Sequence, residues 1–225
     1  TMPDSLNPFS GYPQPSQDEA TRKRSLAKYR LRAAAYDSTC GPTRIIRERS
    51  IAQLRLQPGQ CVLDVACGTG LSLPLLREKV GGADGRDGQV YGFDHSAEML
   101  AQARARVAAA GWDNVQLFET SAQSLALPRP VDALLFHYTH DILRSDRALR
   151  CVLACARSGA RVVIAGIKYF PRWLAPLNAW VYWKNHAYNG APGDLRSPWD
   201  RIAPLLTDWQ FEPTQLGMGY IGSGT

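Results

Sequence analysis

The residues with the most chemical reach stand where apolar stretches end. Residues 62–70 read Val-Leu-Asp-Val-Ala-Cys-Gly-Thr-Gly, an apolar run that carries one acid, Asp64, and empties into a turn holding Gly68 and Gly70. Glycine suits a place where backbone must pass close to a ligand, because a side chain there would fill the space. A dinucleotide turn is spaced G-x-G-x-x-G and seats a pyrophosphate on the next helix. The order here is D-x-A-x-G-x-G, with Ala66 in the middle. An acid inside the run argues against an anionic group at that spot and for a cationic or hydroxyl-bearing one. Further on, 90–93 end in Asp94, and 136–140 (Phe-His-Tyr-Thr-His) supply His137 and His140 beside Asp141. His140 is a candidate general base or an ordinary polar lining residue. Two histidines three apart beside an acid could suggest a metal, but no further ligand set has metal-like spacing, so none is expected.

These residues must be positioned by strands alternating with helices. The pattern predicts strands over 61–66, 90–93, 115–119, 131–136 and 161–166, and helices over 71–80, 96–110 and 145–157. The continuous apolar run over 61–66 suits a parallel strand covered on both faces. Such alternation implies an α/β, Rossmann-like doubly wound, mostly parallel sheet, which takes ligands at the carboxyl ends of its strands near the point where strand order reverses. After 168 the alternation stops, and 169–197 reads as an aromatic cap insertion with Trp173, Trp180, Tyr182, Trp183 and Tyr188. A last helix over 198–206 and two closing strands, 209–216 and 218–221, arranged as a hairpin, bring the sheet to seven. Before all this, 1–15 resembles a draped arm. A capping box at Ser16 and Glu19 opens a helix carrying Leu26, Tyr29, Ala33 and Tyr36. A second helix after Gly41-Pro42 is expected to turn Ile45, Ile46, Ile51 and Leu54 inward and Arg44, Arg47, Arg49 and Arg55 largely outward. Residues 1–60 thus form an arm and helical lid, and 61–225 the catalytic domain.

The 225 residues carry 26 Lys+Arg against 20 Asp+Glu, and 45% are hydrophobic, enough for one sizeable core. No stretch approaches the roughly 18 apolar residues of a membrane span, and the reading is of a soluble, cytoplasmic protein. Five cysteines, Cys40, Cys61, Cys67, Cys151 and Cys155, are odd in number and lie in apolar runs, so buried free thiols are expected. Ten of the basic and five of the acidic residues fall within 1–60. The surplus positive charge is therefore the outer side of the lid rather than a nucleic-acid footprint, and the catalytic domain is nearly neutral.

The segment LDVACGTG resembles the first motif of the class I S-adenosylmethionine-dependent methyltransferases, with Ala66 where that family most often has glycine. YGFDHSAEML (91–100) resembles the second. The likeness implies S-adenosylmethionine as cofactor, Asp94 accepting both ribose hydroxyls, Met99 packing on the adenine, and His95, Ser121 and Ala122 beside it. Ser121 replaces the family's usual Asp, so its adenine contact would be weaker or run through water. Asp64 would organise the cofactor's amino-acid end, Ala66, Gly68 and Gly70 would belong to the cofactor site where backbone passes close to it, and His137 would help through its backbone. AAAYD (33–37) resembles the ubiquinone/menaquinone branch, in which Tyr36, and beside it Tyr29, would close over the carboxylate end. His140, Tyr36 and Tyr182 are the candidates at the reacting centre.

Methyl transfer from S-adenosylmethionine to a small acceptor is the leading expectation. The same fold could instead let the cofactor's own amine close on its γ-carbon, giving azetidine-2-carboxylate and methylthioadenosine. Methylation of a macromolecule and non-catalytic cofactor binding are lesser alternatives. A small-molecule partner, no membrane and no nucleic acid are expected.

Overall fold

The computed structural model describes residues 43–82, 88–170, 174, 177–179 and 195–225. The apolar runs become strands β1 (Cys61–Val65), β2 (Gln89–Asp94), β3 (Val115–Glu119), β4 (Val131–His137), β5 (Ala156–Ile167), β6 (Gln210–Thr214) and β7 (Gly219–Gly224). They lie in one sheet in the order β3-β2-β1-β4-β5-β7-β6. β1 pairs in parallel with β2 and β4, β2 with β3, and β4 with β5, while β7 runs antiparallel to both β5 and β6. The expected seven-stranded, mostly parallel, doubly wound sheet with a closing hairpin is what forms. Strand order reverses between β1 and β4, which opens a crevice at their carboxyl ends.

All five residues of β1 are buried, and alternate side chains point to opposite faces. Cys61, Leu63 and Val65 join Tyr91, Phe93, Leu134, Phe136, Ile164 and Tyr220 in one core. Helices α4 (His140–Arg144) and α5 (Asp146–Leu153) cover it with Ile142, Leu143, Leu149 and Val152. Val62 joins Val90, Ala133, Leu135, Val163, Ala165 and Ile221 on the opposite face. That second core is covered by α1 (Arg44–Gln53), α2 (Leu73–Val80) and α3 (Ala97–Ala109), through Ile46, Ile51, Leu73, Leu76, Leu100 and Ala103. Full burial of one such side chain contributes roughly 1.5–3 kcal/mol, so both faces hold the central strands in place. By the same alternation Asp64 and His137 lie on the α1 face, whereas Gly166 and Tyr220 lie on the other.

Three expectations need correction. In α1 the buried residues are Ile46, Arg47, Ser50 and Ile51, while Ile45 is 65% exposed. Burying Arg47 carries Ile45, two residues or about 200° back, to the solvent side. The helix over 145–157 stops at Leu153, because backbone pairing with β4 takes over. The amide of Val131 donates to the carbonyl of Cys155 and Val131 sits opposite Ala156, so β5 begins five residues early. The helix over 198–206 shrinks to a 3-10 turn at Ala203–Leu205, in which Pro204 can offer no amide for an α-helical bond. Smaller differences are α2 starting at Leu73 and β7 running on to Gly224. Helix α4 was not expected. Cys61, Cys67, Cys151 and Cys155 are free thiols. The arm, the first lid helix with Tyr29 and Tyr36, Cys40, and most of the cap with Tyr182 lie outside the described residues.

Candidate active site

The glycine turn follows β1 directly. Ala66, Gly68 and Gly70 take φ of 51°, 56° and 79°, the left-handed region. Glycine adopts it freely and an L-residue such as Ala66 only with strain. The turn is closed by the Gly70 amide donating to the Cys67 carbonyl at 2.9 Å and tied to β2 by the Cys67 amide donating to the Phe93 carbonyl at 2.8 Å. Among the described residues, nothing lies within 4 Å of where a Cβ on Gly68 would stand.

Asp94, 7% exposed at the end of β2, joins three loops. Its Oδ2 accepts from the Gly68 amide and its Oδ1 from the Ser96 amide, both at 2.9 Å. Its carbonyl accepts from the Thr120 amide at 3.1 Å, which draws Ser121 and Ala122 alongside. Ser96 caps α3, accepting from the Met99 amide at 3.3 Å, and Met99 is buried. His95 Nδ1 stands 3.6 Å from Asp94 Oδ1. Burial raises the Asp94 carboxyl above its ordinary value, opposed by the Ser96 and Gly68 amides and by His95. Each carboxylate oxygen has a second lone pair and can accept from a ligand hydroxyl as well. Ser121 Oγ donates to Ser124 Oγ at 3.3 Å, at the start of a 3-10 turn, Ala122–Ser124.

Asp64 is 2% exposed, and among the described residues its Oδ2 has no hydrogen-bond partner. Burial pushes its carboxyl up to about 7, with Asp94 adding to the rise and Arg47 opposing it. His137 ends β4 with a shielded Nε2 that has no partner among the described residues. Burial, aided by the Arg47 charge, lowers it to about 3, so the ring is neutral. Both ring nitrogens of His140 are shielded and without a partner among the described residues, and burial with the Arg144 charge lowers it to about 4. The His140 ring lies against β5 because Gly166 has no side chain: a Cβ there would stand 2.8 Å from His140 Cε1 and 3.2 Å from the Tyr220 hydroxyl. That hydroxyl is buried too, and without a partner among the described residues. Burial raises the Tyr220 phenol far above its usual range.

Asp64, Gly68, Gly70, Asp94, His95, Ser121 and Ala122 are thus brought together around the ends of β1, β2 and β3. His137 joins Asp64 on the α1 face, and His140 lies across the sheet with Tyr220. Sequence reasoning missed Arg47 and Tyr220. Phasing α1 on Ser50, Ile51 and Leu54 would have turned Arg47 inward. Tyr220 carries no such signal, since one tyrosine on a glycine-rich strand reads as packing. Among the described residues no group of three or more His, Cys, Asp or Glu could hold a metal ion, and no helix is long and apolar enough to cross a membrane.

A mostly parallel sheet with an acid-bearing first strand, a glycine turn and a second acid locked against it defines a Rossmann-like fold. A methyltransferase domain model matches residues 62–159. The chain is 33% identical over 152 residues to phosphatidylethanolamine N-methyltransferase from Cereibacter sphaeroides, spanning 66% of this chain and 70% of that one. It is 39% identical over 92 residues to demethylmenaquinone methyltransferase from Shouchella clausii, spanning 41% of this chain and about a third (36%) of that one. A solved SAM-dependent methyltransferase from Aquifex aeolicus has the same fold, with a TM-score of 0.61 at 22% identity, covering 85% of this chain and 97% of that one. The chain belongs to the class I S-adenosylmethionine-dependent methyltransferases, and S-adenosylmethionine is its cofactor.

Proposed function

We propose that the protein transfers a methyl group from S-adenosylmethionine to a small acceptor held beyond the carboxyl ends of β4 and β5. The observation that carries this reading is the open glycine turn locked to Asp94, with the unpartnered Oδ2 of Asp64 beside it. These groups fit the cofactor. Gly68 lets it approach the backbone, Asp94 accepts from the ribose hydroxyls, Met99, Ser121 and Ala122 border the adenine, and Asp64 faces the amino-acid end. When bound, S-adenosylmethionine supplies a sulfonium methyl with a good leaving group, so the protein's task is alignment and exclusion of water.

His140 is assigned the acceptor's proton. Its nitrogens are buried, neutral and unspent, and a neutral imidazole can accept from an O–H or N–H and take the proton as the new bond forms. A base near 4 pulls weakly, so His140 suits an acceptor that becomes acidic only during attack. Both relatives are named for small-molecule acceptors, phosphatidylethanolamine and demethylmenaquinone, which supports a small acceptor here. The roles given to Tyr29, Tyr36 and Tyr182, the lid over 1–60 and the cap over 169–197 belong to the same proposal and rest on sequence alone. Purified protein incubated with S-adenosylmethionine and a panel of phenolic, quinol and amine acceptors is expected to form S-adenosylhomocysteine only when an acceptor is present. Methylthioadenosine formed without any acceptor would overturn transfer in favour of cyclisation.

A further inference from the structure

A second group of buried polar atoms gathers on the face of the sheet that carries His140. Gly166 and Tyr220 stand opposite one another where β5 and β7 pair, and His140 opens α4 beside them. A Cβ on Gly166 would lie 3.1 Å from His140 Nε2 and 3.2 Å from the Tyr220 hydroxyl, so both atoms flank one point over the glycine. Tyr220 is fully buried. Trp199 meets its ring edge-on at 4.9 Å between centroids, and Phe211 stacks on it at 6.2 Å and 15°, which holds the phenol in one orientation. Among the described residues neither this hydroxyl nor either nitrogen of His140 has a hydrogen-bond partner. Buried polar atoms left unpaired are destabilising and rare in native folds. For packing alone phenylalanine would serve as well, since it fills the same place without a polar atom to bury.

The group lies at the carboxyl ends of β4 and β5, because Gly166 is the last residue but one of β5 and His140 follows β4 closely. Burial keeps the Tyr220 phenol protonated and the His140 ring neutral, so the phenol donates and one imidazole nitrogen accepts. A donor and an acceptor side by side suit a ligand atom that does both. A hydroxyl oxygen answers them together: one lone pair accepts from Tyr220, its hydrogen points to His140, and the second lone pair is left for the methyl carbon. A neutral amine has a single lone pair, which cannot accept from Tyr220 and attack at once, and an ammonium has none. We propose that Tyr220 is a further acceptor-binding residue, which with His140 selects a hydroxyl over an amine as the methyl acceptor. The inference rests on the methyl-transfer reading above and narrows its acceptor. The acceptor oxygen bonds to the methyl carbon as the carbon–sulfur bond breaks, the electron pair of that bond leaves on sulfur, and the hydroxyl proton passes to His140 and then to water as the product departs.

The test gives wild type and Tyr220→Phe a series of matched phenols and anilines, each pair differing only in OH against NH2, with S-adenosylmethionine, and measures S-adenosylhomocysteine. Wild type is expected to favour the phenol of a pair by about 10-fold or more in kcat/KM. In Tyr220→Phe, kcat/KM for the phenol should fall about 10- to 100-fold while that for the aniline stays within about 3-fold. The variant's melting temperature should be no lower than that of wild type, because the ring is kept and an unpaired buried hydroxyl is removed. A phenol preference undiminished in Tyr220→Phe, or an equal loss for both acceptors, would overturn the proposal and leave Tyr220 a packing residue. The wild-type comparison needs no variant to fold, and anilines used as readily as phenols there would also overturn hydroxyl selection while leaving methyl transfer standing. No S-adenosylhomocysteine from any pair would instead count against transfer to a small acceptor, and this inference would fall with it.

Discussion

Replacing Asp64 with Asn should stabilise the free protein at neutral pH while impairing its function. The side chain is 2% exposed, and its carboxyl stands at about 7 against an ordinary 3.8. A carboxyl raised in the fold favours the protonated folded state, so its contribution is intact below 3.8 and is lost as pH rises through 7. At about 1.4 kcal/mol for each pH unit, that interval makes ionised Asp64 a liability of about 4 kcal/mol at pH 8. Asn keeps the shape and cannot ionise. The groups facing the site are Arg47, Asp94 and Cys67. The Cys67 thiol is pushed well above its usual value by burial and stays neutral. Thermal unfolding of both proteins from pH 4 to 8 should give curves that diverge with pH and then run level. For a chain of this size, about 4 kcal/mol corresponds to roughly 8–16 °C. The pH-independent cost of burying the amide cancels when the variant is compared with itself across pH. Parallel curves would refute the reasoning, as would divergence on the acid side. The same variant should bind S-adenosylhomocysteine more weakly, because the acid that destabilises the free protein faces the ligand's ammonium.

Ala66→Gly should relieve the left-handed strain at φ 51° and raise stability by about 0.5–1 kcal/mol, seen in urea unfolding, since the strain outweighs glycine's added entropy. Asp94→Asn should weaken S-adenosylhomocysteine binding by about 10-fold or more in calorimetry, and should also cost stability because it disturbs the acceptor of the Gly68 amide. His140→Gln should lower kcat by about 100-fold or more for acceptors that lose a proton, with cofactor affinity unchanged within about 2-fold. Gly166→Ala should damage the same step, because its methyl group would meet the His140 ring.

Most of the frame was legible because it rests on periodicity. Residues 61–66 are apolar without interruption, save the one acid, since β1 is covered on both faces, and β3 was located to the residue. The acids within β1 and at the end of β2 were legible because a lone charged residue in or closing an apolar run stands out. Elements set by tertiary pairing were not. The end of the helix expected over 145–157 gives way to β5 because β4 offers Ala156 a backbone partner, and 198–206 carry a helix-like pattern that Pro204 interrupts. Arg47 was misread because three isoleucines and a leucine dominate the reading of α1, whereas its burial follows from how the helix packs on β4, β5 and β7. Tyr220 was missed because its significance comes from standing opposite Gly166 in the β5–β7 register, and such a pairing is invisible in one strand's sequence.

The most direct test of methyl transfer uses S-adenosylmethionine carrying a deuterated methyl group and mass spectrometry of everything formed. The account predicts that the label appears on the acceptor, matched one for one by S-adenosylhomocysteine, and that neither forms when the acceptor is left out. Label retained in methylthioadenosine, produced with no acceptor present, would contradict it.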